Sequence, residues 1–176
     1  MNLPNLITLA RIALAPVFIW VLTLFPNPAS HERWIAVALF VLASATDGVD
    51  GALARKRNQV TDLGKLLDPI ADKVLIGGAL IALSALGQVP WWITSLILVR
   101  EIGITIYRLA VIRDRVIAAS SGGKFKTIMQ SVAVGFYLSP LAGYWAPIGI
   151  IQLILLYVAL ISTVFSGLQY LSAARK

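Results

Sequence analysis

The sequence predicts an all-α integral membrane protein, a single domain spanning residues 1–176 and built as a bundle of about six transmembrane helices. Of its 176 residues, 59% are hydrophobic and only 13% are charged, whereas roughly a quarter of an average soluble domain is charged. The apolar residues form six segments, each near the roughly 20 residues that a helix needs to cross a bilayer. They cover residues 6–25, 34–46, 68–86, 91–111, 127–141 and 148–170.

Short polar or proline-containing stretches separate these segments. Prolines and asparagine break the chain at residues 26–28, glycine and proline form an uncharged turn at 87–90, and prolines bound residues 140–147. The serine and glycine pairs at 120–123 predict a flexible break before the fifth helix. The second segment is short, so we expect its helix to continue to about Arg57, and the fifth helix to begin nearer Phe125.

The distribution of charge predicts the orientation. The net charge is +7, but the basic residues lie between apolar segments, which suits lipid headgroups and topology rather than nucleic acid. They concentrate after the second and fourth segments and at the C-terminus, so we expect both termini on the cytoplasmic side. Tryptophans are expected to form a belt at the opposite membrane surface: Trp34, Trp91, Trp92 and Trp145.

Four acidic residues are the strongest candidates for a functional site. Asp47 and Asp50 are spaced i, i+3, and Asp68 and Asp72 are spaced i, i+4, so on helices each pair shares one face. Carboxylates grouped this way beside apolar segments are unfavourable unless a cation binds them. Oxygen ligands suit hard divalent ions such as Mg²⁺. With no cysteine in the chain, thiolate metal sites and disulfides are excluded.

Two other interpretations of these acids have different consequences. They could belong to a charged helix–loop–helix at a membrane surface, or to a small transporter or ion-binding channel that uses intramembrane acids. A transporter would scatter acids near the bilayer midplane and often show inverted repeats. Here the acids cluster beside two segments and no repeat is apparent, which favours a catalytic or metal-binding site.

The acids belong to the pattern D-x2-D-G-x2-A-R-x8-G-x3-D-x3-D, which begins at Asp47 and ends at Asp72. With every fixed position matched, the chain resembles the CDP-alcohol phosphotransferases, integral membrane enzymes of phospholipid synthesis. The resemblance implies two divalent ions, Mg²⁺ or Mn²⁺, bound to the diphosphate of a CDP-lipid in a cavity that faces the cytoplasm. It implies metal-ligand roles for Asp47, Asp50, Asp68 and Asp72, with Asp72 also acting as general base.

The same resemblance implies contacts with the CDP-lipid. Their candidates lie in the acidic motif and at the N-terminus: Gly51, Ala54, Arg55, Thr61, Asn5 and Thr8. Small residues also allow helices to pack closely in membranes, and Asn5 and Thr8 could simply cap a helix. Arg11 lies inside the first apolar segment and therefore needs an anionic partner or a route to the headgroups.

Basic residues of the fourth and fifth segments are candidates for binding an acceptor phosphate: Arg100, Arg108, Lys124 and Lys126. The Arg100-Glu101 pair, the stretch from Gly123 to Gln130 and the tail near Gly167 resemble phosphatidylglycerophosphate synthases. That likeness implies CDP-diacylglycerol and sn-glycerol 3-phosphate as substrates and a homodimer in the cell membrane. Alternatively, Arg100 pairs with Glu101 and the lysines set topology. The acceptor could also be inositol phosphate, or phosphatidylglycerol in cardiolipin synthesis.

Overall fold

In the computed structural model, the described residues are 3–56, 67, 70–111 and 121–174. All regular structure within these ranges is helical and none of it is strand, which confirms the all-α prediction. The helices are α1 (Leu3–Leu24), α2 (Arg33–Lys56), a π-helical segment (Lys73–Gly77) continuing into α3 (Gly78–Ala85), α4 (Trp91–Val111), α5 (Ser121–Leu138), the single turn α6 (Leu141–Tyr144) and α7 (Pro147–Ala174).

The N-terminal pair α1 and α2 forms the most extensive helix–helix contact among the described elements. Phe18 and Phe40 are buried and meet edge to face, with their ring centroids 5.8 Å apart. α2 continues through Asp47 and Asp50 to Lys56, so the predicted extension of the second apolar helix is confirmed. The acidic motif therefore begins on a helix whose first half is anchored in the apolar core.

The turn after α3 has the structure that its glycine predicts. Gly87 has a φ of +71°, a conformation that costs glycine little. Its N–H donates to the Ser84 carbonyl at 3.0 Å, and the Gln88 N–H donates to the Leu83 carbonyl at 2.9 Å. These two bonds form a Schellman motif and turn the chain directly into α4.

The sequence predicts a flexible break at residues 120–123, and this prediction is wrong for residues 121–123, which are helical. α5 begins at Ser121, so Gly122 and Gly123 belong to its first turn. N–H groups in a first turn have no intrahelical partner anyway, and the cost of glycine in the helix is small enough for α5 to include them. The helix ends at Leu138 because Pro140 restricts the backbone before it.

Apolar side chains cover the outside of the described bundle. Trp20, Val99, Ile150 and Ile161 are among many large apolar residues that are more than half exposed, as expected where lipid is the solvent. Two of the described helices are long and apolar enough to cross a membrane, at Asn5–Leu24 and Pro147–Tyr170, and a shorter apolar stretch covers Arg33–Thr46. The protein is thus a helical membrane protein, and the number of six spans stays a prediction.

The π-helical segment lies tightly between neighbouring helices. A Cβ on Gly78 would come within 2.8 Å of Ile19 on α1, and one on Gly77 within 3.0 Å of Leu98 on α4. π-helical turns inside helices are frequent at functional sites. Asp72 directly precedes this segment, so this candidate catalytic residue lies at its N-terminal end and the close packing at its C-terminal end.

Three connections meet at one end of the bundle, which we call the turn end: residues 25–32, 86–90 and 139–146. Arg33 donates to the Gln88 side chain, and Gln88 donates to the Pro26 carbonyl, each at 3.0 Å. His31 Nδ1 lies 3.1 Å from the Tyr144 hydroxyl. A Cβ on Gly143 would be 2.4 Å from that of Ala29, so only glycine permits this close approach.

Candidate functional site

The acidic motif lies partly on α2. Positions 47 and 50 are one turn apart on this helix, and Gly51, Ala54 and Arg55 follow in its last two turns. The side chains of these five residues, and all of Thr61 and Asp68, lie outside the described residues. Whether the four carboxylates converge therefore stays a prediction.

Asp72 is the described member of the motif, and its carboxylate lies beside a buried arginine. Arg11 Nη1 on α1 is 3.9 Å from Asp72 Oδ1, and the Asp72 side chain is 40% exposed while that of Arg11 is inaccessible. The sequence indicated that Arg11 needed an anion but not which one. Asp72 places a negative charge beside Arg11, and its carboxylate is partly exposed.

The N-terminal candidates face the interior of the bundle. Asn5 is 5% exposed and Thr8 is 1% exposed, and they precede Arg11 along α1. Both therefore lie on the same helix as Arg11, which contacts Asp72. This arrangement is compatible with a CDP-lipid contact and also with a local hydrogen-bonding role.

A group of charged residues, which we call the Glu101 cluster, joins three helical segments: Lys73, Arg100, Glu101 and Lys126. Glu101 Oε1 accepts hydrogen bonds from Lys126 Nζ at 2.5 Å and from Arg100 Nη1 at 2.9 Å. Glu101 Oε2 lies 4.0 Å from Lys73 Nζ. The cluster therefore connects the residue after Asp72 to α4 and α5.

The cluster carries an excess of positive charge. Arg100 and Lys126 share one oxygen of Glu101, so these two cations carry one positive charge more than the carboxylate between them. Lys126 is 7% exposed, and burying uncompensated charge is costly unless an anion balances it. Arg100 and Lys126 thus come together as the acceptor-phosphate prediction requires, while their pairing with Glu101 also matches the structural alternative.

Arg108 and Lys124 belong to the same two helices. Arg108 lies two turns beyond Arg100 on α4, and Lys124 lies half a turn before Lys126 on α5. Their side chains lie outside the described residues, so their contribution to phosphate binding stays a prediction.

The C-terminal helix α7 contacts the Arg100 side chain. Arg100 Nη2 donates to Ser166 Oγ at 2.8 Å. A Cβ on Gly167 would be 3.2 Å from both Cγ and Nε of Arg100, so glycine here allows the arginine stem to lie flat against α7. The sequence marked this tail through family resemblance alone, because nothing in its spacing indicates contact with a residue on α4.

An apolar groove runs along α5 and α7 next to the cluster. Ser166 connects the two, since it accepts a hydrogen bond from Arg100 and also lines the groove. The remaining lining residues are mostly apolar and come from the two helices: Phe125, Val158, Ile161, Ser162, Phe165 and Gln169. A ligand with a charged head and an apolar tail would find both environments side by side.

The donor chemistry of the acidic motif fits a divalent cation. Asp72 offers a half-exposed carboxylate, and the other three acids of the motif are also oxygen donors of the kind that Mg²⁺ and Mn²⁺ prefer. Among the side chains that the structure describes, no group of three or more possible metal ligands occurs. A metal site at Asp72 would therefore also need ligands among Asp47, Asp50 and Asp68.

Comparison with known protein families identifies the class of this chain. The sequence matches the family described as CDP-alcohol phosphatidyltransferase over residues 1–165. The chain belongs to this family. It is therefore a CDP-alcohol phosphatidyltransferase, an enzyme of phospholipid synthesis in the membrane, and members of the family generally depend on divalent metals.

Individual relatives have names that specify the acceptor. The chain is 47% identical to a "Probable phosphatidylglycerophosphate synthase" of Mycobacterium tuberculosis, over 98% of this chain and 81% of the relative. It is 40% identical to the "CDP-diacylglycerol--glycerol-3-phosphate 3-phosphatidyltransferase" of Bacillus subtilis, over 97% and 94% of the two chains. It is 38% identical to the Escherichia coli protein of the same name, over 99% and 95%. These names do not favour the inositol phosphate, cardiolipin or transporter alternatives.

Proposed function

We propose that this enzyme transfers the phosphatidyl group of CDP-diacylglycerol to sn-glycerol 3-phosphate, giving phosphatidylglycerol phosphate and CMP. The observation that carries the acceptor assignment is the charge of the Glu101 cluster. The positive charge that Arg100 and Lys126 carry in excess of Glu101 suits a phosphate monoester, which carries about −1.5 to −2 near neutral pH. The names of the relatives support the same substrates.

The proposed reaction is a displacement at the lipid-side phosphorus of the diphosphate. The primary hydroxyl oxygen of the acceptor forms the new P–O bond while its proton passes to Asp72. The bond between that phosphorus and the oxygen bridging to the cytidine phosphate breaks, and CMP leaves with the bonding electrons. Lys73 follows Asp72 directly and reaches Glu101, which supports placing the base next to the acceptor phosphate.

Asp47, Asp50, Asp68 and Asp72 are proposed to hold two divalent ions, Mg²⁺ or Mn²⁺. When bound, such a pair neutralises the diphosphate and stabilises the leaving group. Arg11 supplies a further fixed positive charge 3.9 Å from Asp72. Its burial keeps that charge in place, so it helps to orient the carboxylate toward the site.

The remaining residues are assigned to the two substrates. Gly51, Ala54, Arg55, Thr61, Asn5 and Thr8 form the proposed CDP contact, in which the small residues let the nucleotide approach α2. Arg100, Arg108, Lys124 and Lys126 form the proposed acceptor-phosphate pocket. The apolar groove beside Ser166 is suited to a lipid tail.

The location follows from the same proposal. A cavity open to the cytoplasm would receive soluble glycerol 3-phosphate from one side and the lipid from the inner leaflet. The basic connectors and both termini are accordingly proposed to be cytoplasmic, and a homodimer is proposed from the family resemblance.

An acceptor screen with purified protein in detergent tests this function. CDP-diacylglycerol and Mn²⁺ or Mg²⁺ are supplied with glycerol 3-phosphate, inositol 1-phosphate or phosphatidylglycerol, and CMP is measured. We expect CMP release with glycerol 3-phosphate, and its loss when EDTA removes the metals. Release with inositol 1-phosphate alone would reject the assigned acceptor, while full activity in EDTA would reject the metal-assisted mechanism.

A further inference from the structure

We propose that Glu101 is a positioning residue that acts as the built-in counter-ion of the acceptor pocket. It holds Lys126 and Arg100 together, reaches Lys73, and lowers the affinity of the pocket for anions through its own negative charge. This role rests on the proposed function, since it specifies how the same site selects its acceptor.

The geometry shows one carboxylate shared among three cations. Lys126 Nζ and Arg100 Nη1 both bind the same oxygen of Glu101, at 2.5 and 2.9 Å. Two cations held this close to one atom repel each other, and the repulsion is strong in a partly buried site. Without the carboxylate they would separate, so Glu101 fixes their spacing before any substrate arrives.

The two oxygens of Glu101 have different surroundings. Oε1 accepts two hydrogen bonds, whereas Oε2 forms an ion pair with Lys73 at the longer distance of 4.0 Å. Lys73 is the neighbour of Asp72 along the chain. Glu101 therefore connects the pocket on α4 and α5 with the segment that carries the proposed base, so losing its geometry should impair turnover as well as binding.

Charge decides the second part of the proposal. With Glu101 ionised, one negative charge lies between Arg100 and Lys126, so these two cations carry one positive charge more than the carboxylate they share. A neutral residue at position 101 removes that negative charge, so the pocket should hold any phosphate more tightly but in a less defined orientation. Glu101 thus lowers anion affinity and gains selectivity, a trade that is common where charged groups set specificity.

The test separates charge from position by using Glu101→Gln and Glu101→Asp, with Glu32→Gln as the matched control. Glu32 is exposed in the connection before α2, so its substitution removes the same charge outside the site. Binding is measured without catalysis, as the concentration of inorganic phosphate that gives half of the maximal thermal stabilisation of the purified protein. Turnover is then measured as CMP release with glycerol 3-phosphate.

We expect Glu101→Gln to lower the half-stabilising phosphate concentration about fivefold or more and to lower kcat at least about tenfold. Glu101→Asp keeps the charge but shortens the side chain, so its phosphate affinity should stay near that of wild type while kcat falls. Glu32→Gln should match wild type in both measurements. A simple loss of structural integrity would reduce turnover without tightening phosphate binding.

The proposal is overturned if Glu101→Gln binds phosphate no more tightly than wild type, or if Glu101→Asp tightens binding as much as Glu101→Gln does. If Glu101→Gln does not fold, unchanged kcat in Glu101→Asp overturns the positioning role. The binding measurement needs no turnover, so it remains decisive even if wild type releases no CMP with glycerol 3-phosphate. That last result would reject the proposed acceptor alone.

Discussion

The turn end and the Glu101 cluster each contain an arginine, but they compensate its charge in different ways. At the turn end, Arg33 is fully buried and its described side-chain hydrogen bond goes to the neutral amide of Gln88. Its Nε and Nη1 have no hydrogen-bond partner in the part of the protein that the structure describes. Arg100, in contrast, binds a carboxylate and a hydroxyl, on Glu101 and Ser166.

The difference separates a structural arginine from one that is prepared for a ligand. Arg33 bridges to Gln88, and Gln88 bridges to Pro26, so the arginine joins loops through neutral groups. Arg100 shares its carboxylate with two lysines, so the cluster retains a charge that an anion can balance. Substitutions in the Glu101 cluster or its surroundings should therefore alter kinetics, whereas those at the turn end should alter little except stability.

The largest kinetic effect is expected from Asp72→Asn. The substitution keeps the size of the side chain but removes its basicity, and loss of a general base typically costs about 10²- to 10⁴-fold in rate. We expect CMP release to fall by this factor while the CDP-lipid still binds, as measured by turnover and by equilibrium binding. Glu32→Gln is the control for charge loss outside the site. Near-normal turnover would remove Asp72 from the mechanism.

The next largest effect is expected from Arg108→Ala, which tests the predicted extension of the cluster along α4. A hydrogen bond to a charged group contributes about 1.5–3 kcal/mol, so the KM for glycerol 3-phosphate should rise about 10- to 100-fold. The KM for CDP-diacylglycerol should change far less. Equal changes in both constants would place Arg108 elsewhere. Arg113→Ala, among the basic residues after the fourth apolar segment, is the control.

A smaller effect is expected from Gly167→Ala, which adds a methyl group in contact with Arg100 and leaves the arginine in the protein. The added methyl group would lie 3.2 Å from Cγ and Nε of Arg100, and overpacking of this kind typically costs about 1–3 kcal/mol. We expect the KM for glycerol 3-phosphate to rise about fivefold, because Arg100 shifts. Gly149→Ala on the same helix meets no neighbour within 4 Å and should leave the KM unchanged. Equal behaviour of the two variants would show that Arg100 does not depend on contact with α7.

The sequence predicts the helices well because their signals are local. Apolar length, prolines and Gly87 predict the helical segments and the turn after α3, and the helical continuation through Asp47 follows from the pattern around it. The start of α5 at Ser121 was missed because two glycines normally indicate a break. Whether α5 includes these glycines depends on how the rest of the helix packs, and no local pattern shows that packing.

The site is predictable only in part, for a related physical reason. The chemistry of the acids and cations is visible in residue types and spacing, so Arg100 and Lys126 could be grouped before their contact was known. Their meeting point on Glu101 depends on how α4 and α5 pack. The partner of Arg11 likewise requires the distance between α1 and the segment after Asp72. Pairings across helices are set by tertiary structure, which the spacing within one helix does not encode.

The smallest kinetic effect is expected from Arg33→Met at the turn end. Methionine is apolar and flexible enough to fill most of the space, and replacing a buried charge by an apolar side chain is often neutral or stabilising. Because the substitution removes two buried donors without described partners at the cost of one hydrogen bond to Gln88, we expect an equal or higher melting temperature. Both KM values and kcat should change less than about twofold, within the range of substitutions remote from a site. A selective rise in the acceptor KM would show that Arg33 and Arg100 are coupled and that the turn end takes part in substrate binding.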